Sequence, residues 1–130
     1  MKSDSNITIK EVMSSDELKK FVMFPHTLYK NSKYWVAPII KEELEVLNKE
    51  TNPVFNNAVA HYFLAYIDGE IVGRIAALIN WIEVKDLKKK KVRFGWFDFI
   101  DDQNVSKALL EKVIEIGKKN NLEFIERPVG

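Results

Sequence analysis

The chain has 130 residues, enough for one domain with a real core, and its 46% hydrophobic and 30% charged content excludes a disordered chain. A net charge of +1 provides no global field for nucleic acid or membrane, so neither is an expected partner. The absence of cysteine excludes disulfides, thiolate chemistry and cysteine-ligated metal. No apolar h-region follows Met1–Asn6 and no apolar run approaches ~18 residues, so the expected location is the cytoplasm.

In chain order, Ile7–Val12 alternates apolar and polar residues and predicts a strand with one buried face. Ser14 and Glu17 have the spacing of a capping box, and the helix it opens places Leu18, Phe21 and Val22 on one side. Pro25 is expected to end or kink that helix, because proline disfavours helical geometry at Phe24 and has no N–H to donate; His26–Tyr29 is a candidate for a further turn. Tyr34-Trp-Val-Ala-Pro38 is an aromatic loop that either lines a ligand pocket or forms core anchoring the helix pair. Ile40, Leu44 and Leu47 predict a short amphipathic helix that stops before Asn52-Pro53.

Tyr62–Ile67 and Glu70–Asn80 flank Asp68-Gly69, a pair that tolerates the positive φ of a type I′ turn, and so predict a β-hairpin. Both strands are apolar at nearly every position, so both faces need cover. Arg74 interrupts this pattern; it either meets a carboxylate or extends outward, and is a weak functional candidate. Lys85 and Lys88–Lys91 precede a third strand, Val92–Ile100, and form either an anion site or a solvated loop that discourages edge pairing. Val105, Ala108, Leu109, Val113 and Ile116 give a helix over about 104–119, with Asn120-Asn121 as its left-handed cap. Leu122–Glu126 resumes as a strand, parallel to Val92–Ile100 by a right-handed crossover. His26 and His61 have no neighbouring pattern suggesting a triad or metal site.

In this order of elements the chain resembles the GNAT superfamily of acyl-CoA N-acyltransferases. The resemblance is carried by Phe63-Leu-Ala-Tyr-Ile-Asp-Gly-Glu-Ile-Val-Gly-Arg-Ile75, similar to the family's central hairpin, and by Ser106-Lys-Ala-Leu-Leu-Glu-Lys-Val113, similar to the start of its cofactor helix. Arg93–Asp102 also looks like the N-terminal part of a group of longer bacterial proteins of that superfamily. The implied fold is α/β (α+β): a mixed, mainly antiparallel sheet with helices on both faces, in a single domain over residues 1–130 that stops after the fifth strand. Because such a sheet lacks the C-terminal helix and two strands that would cover it, a homo-oligomer is expected.

The resemblance implies acyl transfer from acetyl-CoA, or another acyl-CoA, to a small-molecule amine. It places the cofactor against Phe99, Ile100, Asn104, Val105, Ser106 and Lys107, where a helix N-terminus suits a pyrophosphate. The family's Gln/Arg-x-x-Gly-x-Gly/Ala pattern meets Asp101, Asn104 and Ser106 here, three departures; sliding by two meets Gln103, Ser106 and Ala108, two of three, at a poorer apolar register. Asp101-Asp102 repel a diphosphate, so weakened binding is expected, and both are equally good residues for a helix start. Asp98, on the strand where the family often carries a carboxylate, is the candidate base, or else a hydrogen-bonded structural residue. The alternative function is a non-catalytic domain that binds a small molecule or a protein through the same cleft.

Overall fold

The computed structural model describes residues 6–126. The elements are β1 (Ile7–Glu11), α1 (Ser15–Leu28), α2 (Ile40–Val46), β2 (Ala58–Ile67), β3 (Glu70–Asn80), β4 (Lys91–Phe99), α3 (Gln103–Lys119) and β5 (Phe124–Glu126). The strands form one sheet in sequence order; β1 to β4 pair antiparallel, and β5 runs parallel to β4. This is the mixed sheet expected from the pattern.

Helices cover both faces. On one, Val105, Leu109, Val113 and Ile116 of α3 pack on Phe63, Ala65, Ile75, Ala77, Ile79 and Val92. On the other, Phe21 and Val22 of α1 and Leu47 pack on Ala60, Tyr62, Leu64 and Ala76. Two-sided burial is the reason β3 shows no alternation in its sequence: Val72–Ala77 are all buried. Gly73 allows α3 to lie close, since a Cβ there would stand 2.8 Å from Leu109 Cδ1 and 2.9 Å from Val105 Cγ1.

The hairpin turn forms where the sequence puts it: Asp68 and Gly69 have φ of 50° and 83°, and Ile67 pairs with Glu70. Asn121 takes the left-handed conformation after α3, with φ 59°. At the start of α1, Ser14 Oγ accepts from the Glu17 N–H at 3.1 Å. The reciprocal bond falls one residue earlier than in a standard box, with Glu17 Oε1 accepting from the Met13 N–H at 2.6 Å.

Two expectations are met only in part. Pro25 does not end α1; the further turn over His26–Tyr29 is the reading that forms, and the helix runs on to Leu28. The carbonyl left without its helical donor by Pro25 is that of Phe21, four residues back, and Arg74 Nη1 donates to it at 2.9 Å. A tertiary bond replaces the missing helical one. The aromatic loop also divides: Trp35 packs on His26 and Tyr29, with ring centroids 5.1 and 5.4 Å away, whereas Tyr34 is exposed and contributes nothing to the core.

Candidate functional site

Asp98 lies near the C-terminal end of β4 and pairs in register with Arg74 on β3. A bulge sets its direction. Gly95 pairs with Ala76 and Asp98 with Arg74, so β4 has two residues, Trp96 and Phe97, opposite the single Ile75. Trp96 takes up the extra residue at φ 46°. Asp98 consequently faces α1, while Phe97 and Phe99 pack with the α3 side of the sheet.

The Asp98 carboxylate accepts from Tyr29 Oη at 2.7 Å, Arg74 Nε at 3.0 Å and Arg74 Nη2 at 2.9 Å. Arg74 is only 5% exposed, so its guanidinium is satisfied by the β4 carboxylate and the α1 carbonyl. Burial pulls its pKa down, and the neighbouring Asp98 opposes that. Burial and the bond to Asp98 push the Tyr29 phenol up to about 12, so it stays protonated and donates across the neutral range. Beside this group, Trp96 Nε1 donates to Glu43 Oε1 at 3.0 Å, which ties α2 to β4. The expectation that Arg74 meets a carboxylate is met. Sequence reasoning missed Tyr29, Glu43 and Trp96 as members of the network; the one available signal was Pro25, which frees the Phe21 carbonyl.

The residues assigned to a cofactor separate into different environments. Phe99 is half-buried against Phe97, with ring centroids 4.9 Å apart, and the Ile100 N–H donates to the Val72 carbonyl at 2.9 Å. Val105 is fully buried in the α3 core, so its side chain is turned away from any ligand. Asn104 and Lys107 are exposed, and Ser106 Oγ donates back to the Gln103 carbonyl at 3.0 Å. Asp102 is the α3 N-cap: its carboxylate accepts from the Asn104 N–H at 2.9 Å, and its carbonyl accepts from the Val105 and Ser106 N–H groups at 3.1 and 3.3 Å. A diphosphate at this helix start would meet an anion that already caps it, with the Asn104, Val105 and Ser106 N–H groups engaged.

A separate cavity of about 640 Å³ opens at the N-terminal end of β2, lined by Val12, Leu18, Leu47, Lys49 and Tyr62 among others. None of the predicted cofactor residues lines it.

No model of a known protein family matches the chain. Two curated proteins are similar to it in sequence. Protein YghO of Escherichia coli (strain K12) is 33% identical over 101 residues, covering 78% of this chain and 26% of that protein. The Bacterial ceramide synthase of Caulobacter vibrioides is 33% identical over 108 residues, covering 82% of this chain and 28% of that protein. The chain thus spans about a quarter of the length of these relatives.

Among solved structures, an acetyltransferase of the GNAT family from Staphylococcus aureus superposes with a TM-score of 0.64 at 20% identity, covering 95% of this chain and 72% of that one. A predicted acetyltransferase of Clostridium acetobutylicum, solved with acetyl-CoA, gives 0.66 at 14% identity, covering 95% and 81%. The fold of this chain is the GNAT acyl-CoA N-acyltransferase fold, as its order of elements implied.

Proposed function

We propose that this chain is the N-terminal portion of an acyl-CoA-dependent N-acyltransferase, or a degenerate descendant of one, acting on a small-molecule amine. The observation that carries the reading is the fold: α1 and α2 on one face, the antiparallel β1–β4, and β4 leading through Asp101-Asp102 into α3. The name of the Caulobacter relative agrees in chemistry, since a ceramide is an amide formed on a long-chain amine. In this reading Asp98 is the carboxylate that would take a proton from the amine, and what supports it is that Arg74 and Tyr29 fix the carboxylate in one orientation.

One observation favours the second reading, a non-catalytic binding domain. Asp102 occupies the donors that a cofactor phosphate would use. Calorimetric titration with acetyl-CoA separates the two. The expected result is weak binding, with a Kd no better than roughly 0.1 mM, or about −5.5 kcal/mol. Asp101→Asn together with Asp102→Asn should tighten it, because asparagine caps the helix equally well without the charge. Low-micromolar binding by the native chain favours a working acyltransferase. No heat at millimolar ligand in either protein leaves the binding domain.

A further inference from the structure

Charge is unevenly placed on this chain. Of its 20 lysine and arginine residues and 19 acidic ones, eight and four lie in residues 82–93 and 118–126, leaving twelve and fifteen elsewhere. The fold brings these two stretches to one end of the sheet. The Glu123 N–H donates to the Lys90 carbonyl at 2.8 Å, and Lys91 pairs with Phe124. The last turn of α3 lies against the start of β4, where a Cβ on Gly117 would stand 3.3 Å from Val92 Cγ1. A net charge of +1 conceals this asymmetry.

Few of these cations are neutralised within the patch. Glu83 is held by Arg93, whose Nε donates to it at 3.1 Å, and Glu123 lies 3.9 Å from Lys90. Asp86 is exposed among the lysines. Lys85, Lys88, Lys89, Lys118 and Lys119 are all exposed, and none of them has an ion pair among the described residues. The tip of the patch is apolar. Residues 85–90 are exposed without a break, and Leu87, 55% exposed, sits in their midst. Its N–H donates to the Ile82 carbonyl at 3.1 Å, which brings it beside Ile82, itself 44% exposed.

We propose that the connection between β3 and β4 docks on an anionic bilayer surface: Ile82 and Leu87 enter the headgroup region while Lys85, Lys88 and Lys89, backed by Lys118 and Lys119, face the lipid phosphates. An aliphatic tip ringed by an excess of lysines is the chemistry of such a contact. A nucleic acid would gain nothing from the aliphatic side chains. Trp81, the adjoining aromatic residue, packs on the α3 core and carries the Lys85 ammonium over its ring at 5.4 Å, so it offers no face to a base. No helix among the described residues is long and apolar enough to cross a membrane, so the contact is peripheral. The sequence left this lysine run as an anion site or a solvated loop, and its net charge argued against a membrane partner; the local excess of lysine reverses that expectation. The inference is independent of whether the chain binds acyl-CoA.

The test is co-sedimentation of the chain with vesicles of phosphatidylcholine alone and with phosphatidylglycerol added. The expected result is partitioning onto the phosphatidylglycerol vesicles, weakening as salt is raised. The triple variant Lys85→Gln, Lys88→Gln, Lys89→Gln should partition roughly tenfold less or worse at low salt. The same change of charge made elsewhere, with Lys19→Gln, Lys20→Gln and Lys30→Gln, should leave partitioning near the native value. Leu87→Ser should weaken it by roughly threefold or more. All of these side chains are exposed, so the variants should melt like the native chain. No partitioning at millimolar lipid overturns the proposal, as does an equal loss in both lysine triples, which would make net charge the cause. Binding of a labelled RNA or DNA oligonucleotide that Lys85, Lys88 and Lys89 support, without lipid binding, would put a nucleic acid in place of the bilayer.

Discussion

Arg74 is buried, and its guanidinium has partners on two other elements, the Asp98 carboxylate on β4 and the Phe21 carbonyl on α1. A cation in that position is stable only while its acceptors remain. Asp98→Ala should therefore cost about 3 kcal/mol, as expected when one partner of a buried ion pair is removed. Adding Arg74→Met should recover part of the loss, because the uncompensated charge goes with it. Urea denaturation of the single and double variants measures both effects, and an Asp98→Ala chain as stable as the native one would refute the account. A carboxylate in this setting has a structural duty whether or not it also takes a proton.

The elements were legible where local chemistry decides them. Asp68-Gly69 needs only its own φ angles, and the apolar stripe from Val105 to Ile116 needs only helical spacing, so both were found where predicted. Pro25 and Trp96 were not legible, because each depends on a partner distant in sequence. The helix survives Pro25 through a donor on β3, and the β4 bulge exists relative to Ile75. The start of α3 was legible in its charge, since Asp101 and Asp102 were read as good residues for a helix start. The burial of Val105 follows from Gly73, which was read only as part of a hairpin. That close approach gives a test. Gly73→Ala puts a methyl within 3 Å of Leu109 and Val105 side chains, and should destabilise by roughly 1–3 kcal/mol as overpacking does. A thermal melt unchanged from the native chain would show that α3 can retreat at no cost.

For the molecule as a whole, the sheet ends in a strand of three residues, β5, with Ile125 exposed on it. Its outer N–H and C=O groups have no further strand among the described residues, and exposed apolar surface lies beside them, so we propose a dimer or higher oligomer in light scattering at tens of micromolar; a clean monomer would count against it. The feature at Trp96 also acts at this scale. A strand has a phase of two, and every residue on it is either in step with one face or with the other. Trp96 is a phase slip. Upstream of it, Phe94 belongs to the α3 side; downstream, Phe97 and Phe99 do, although an unbroken strand would have sent both to the opposite face. Were the same residues paired without the slip, Phe97 would fall opposite Arg74 and Asp98 opposite Gly73, placing a carboxylate in the dry layer where Val105 and Leu109 close on the sheet. The ionic layer and the apolar layer stay on their own sides because of a single uncounted residue: a deletion of Trp96 would leave Asp98 opposite Arg74 on a regular strand, whereas one further residue inserted beside it would exchange the two layers.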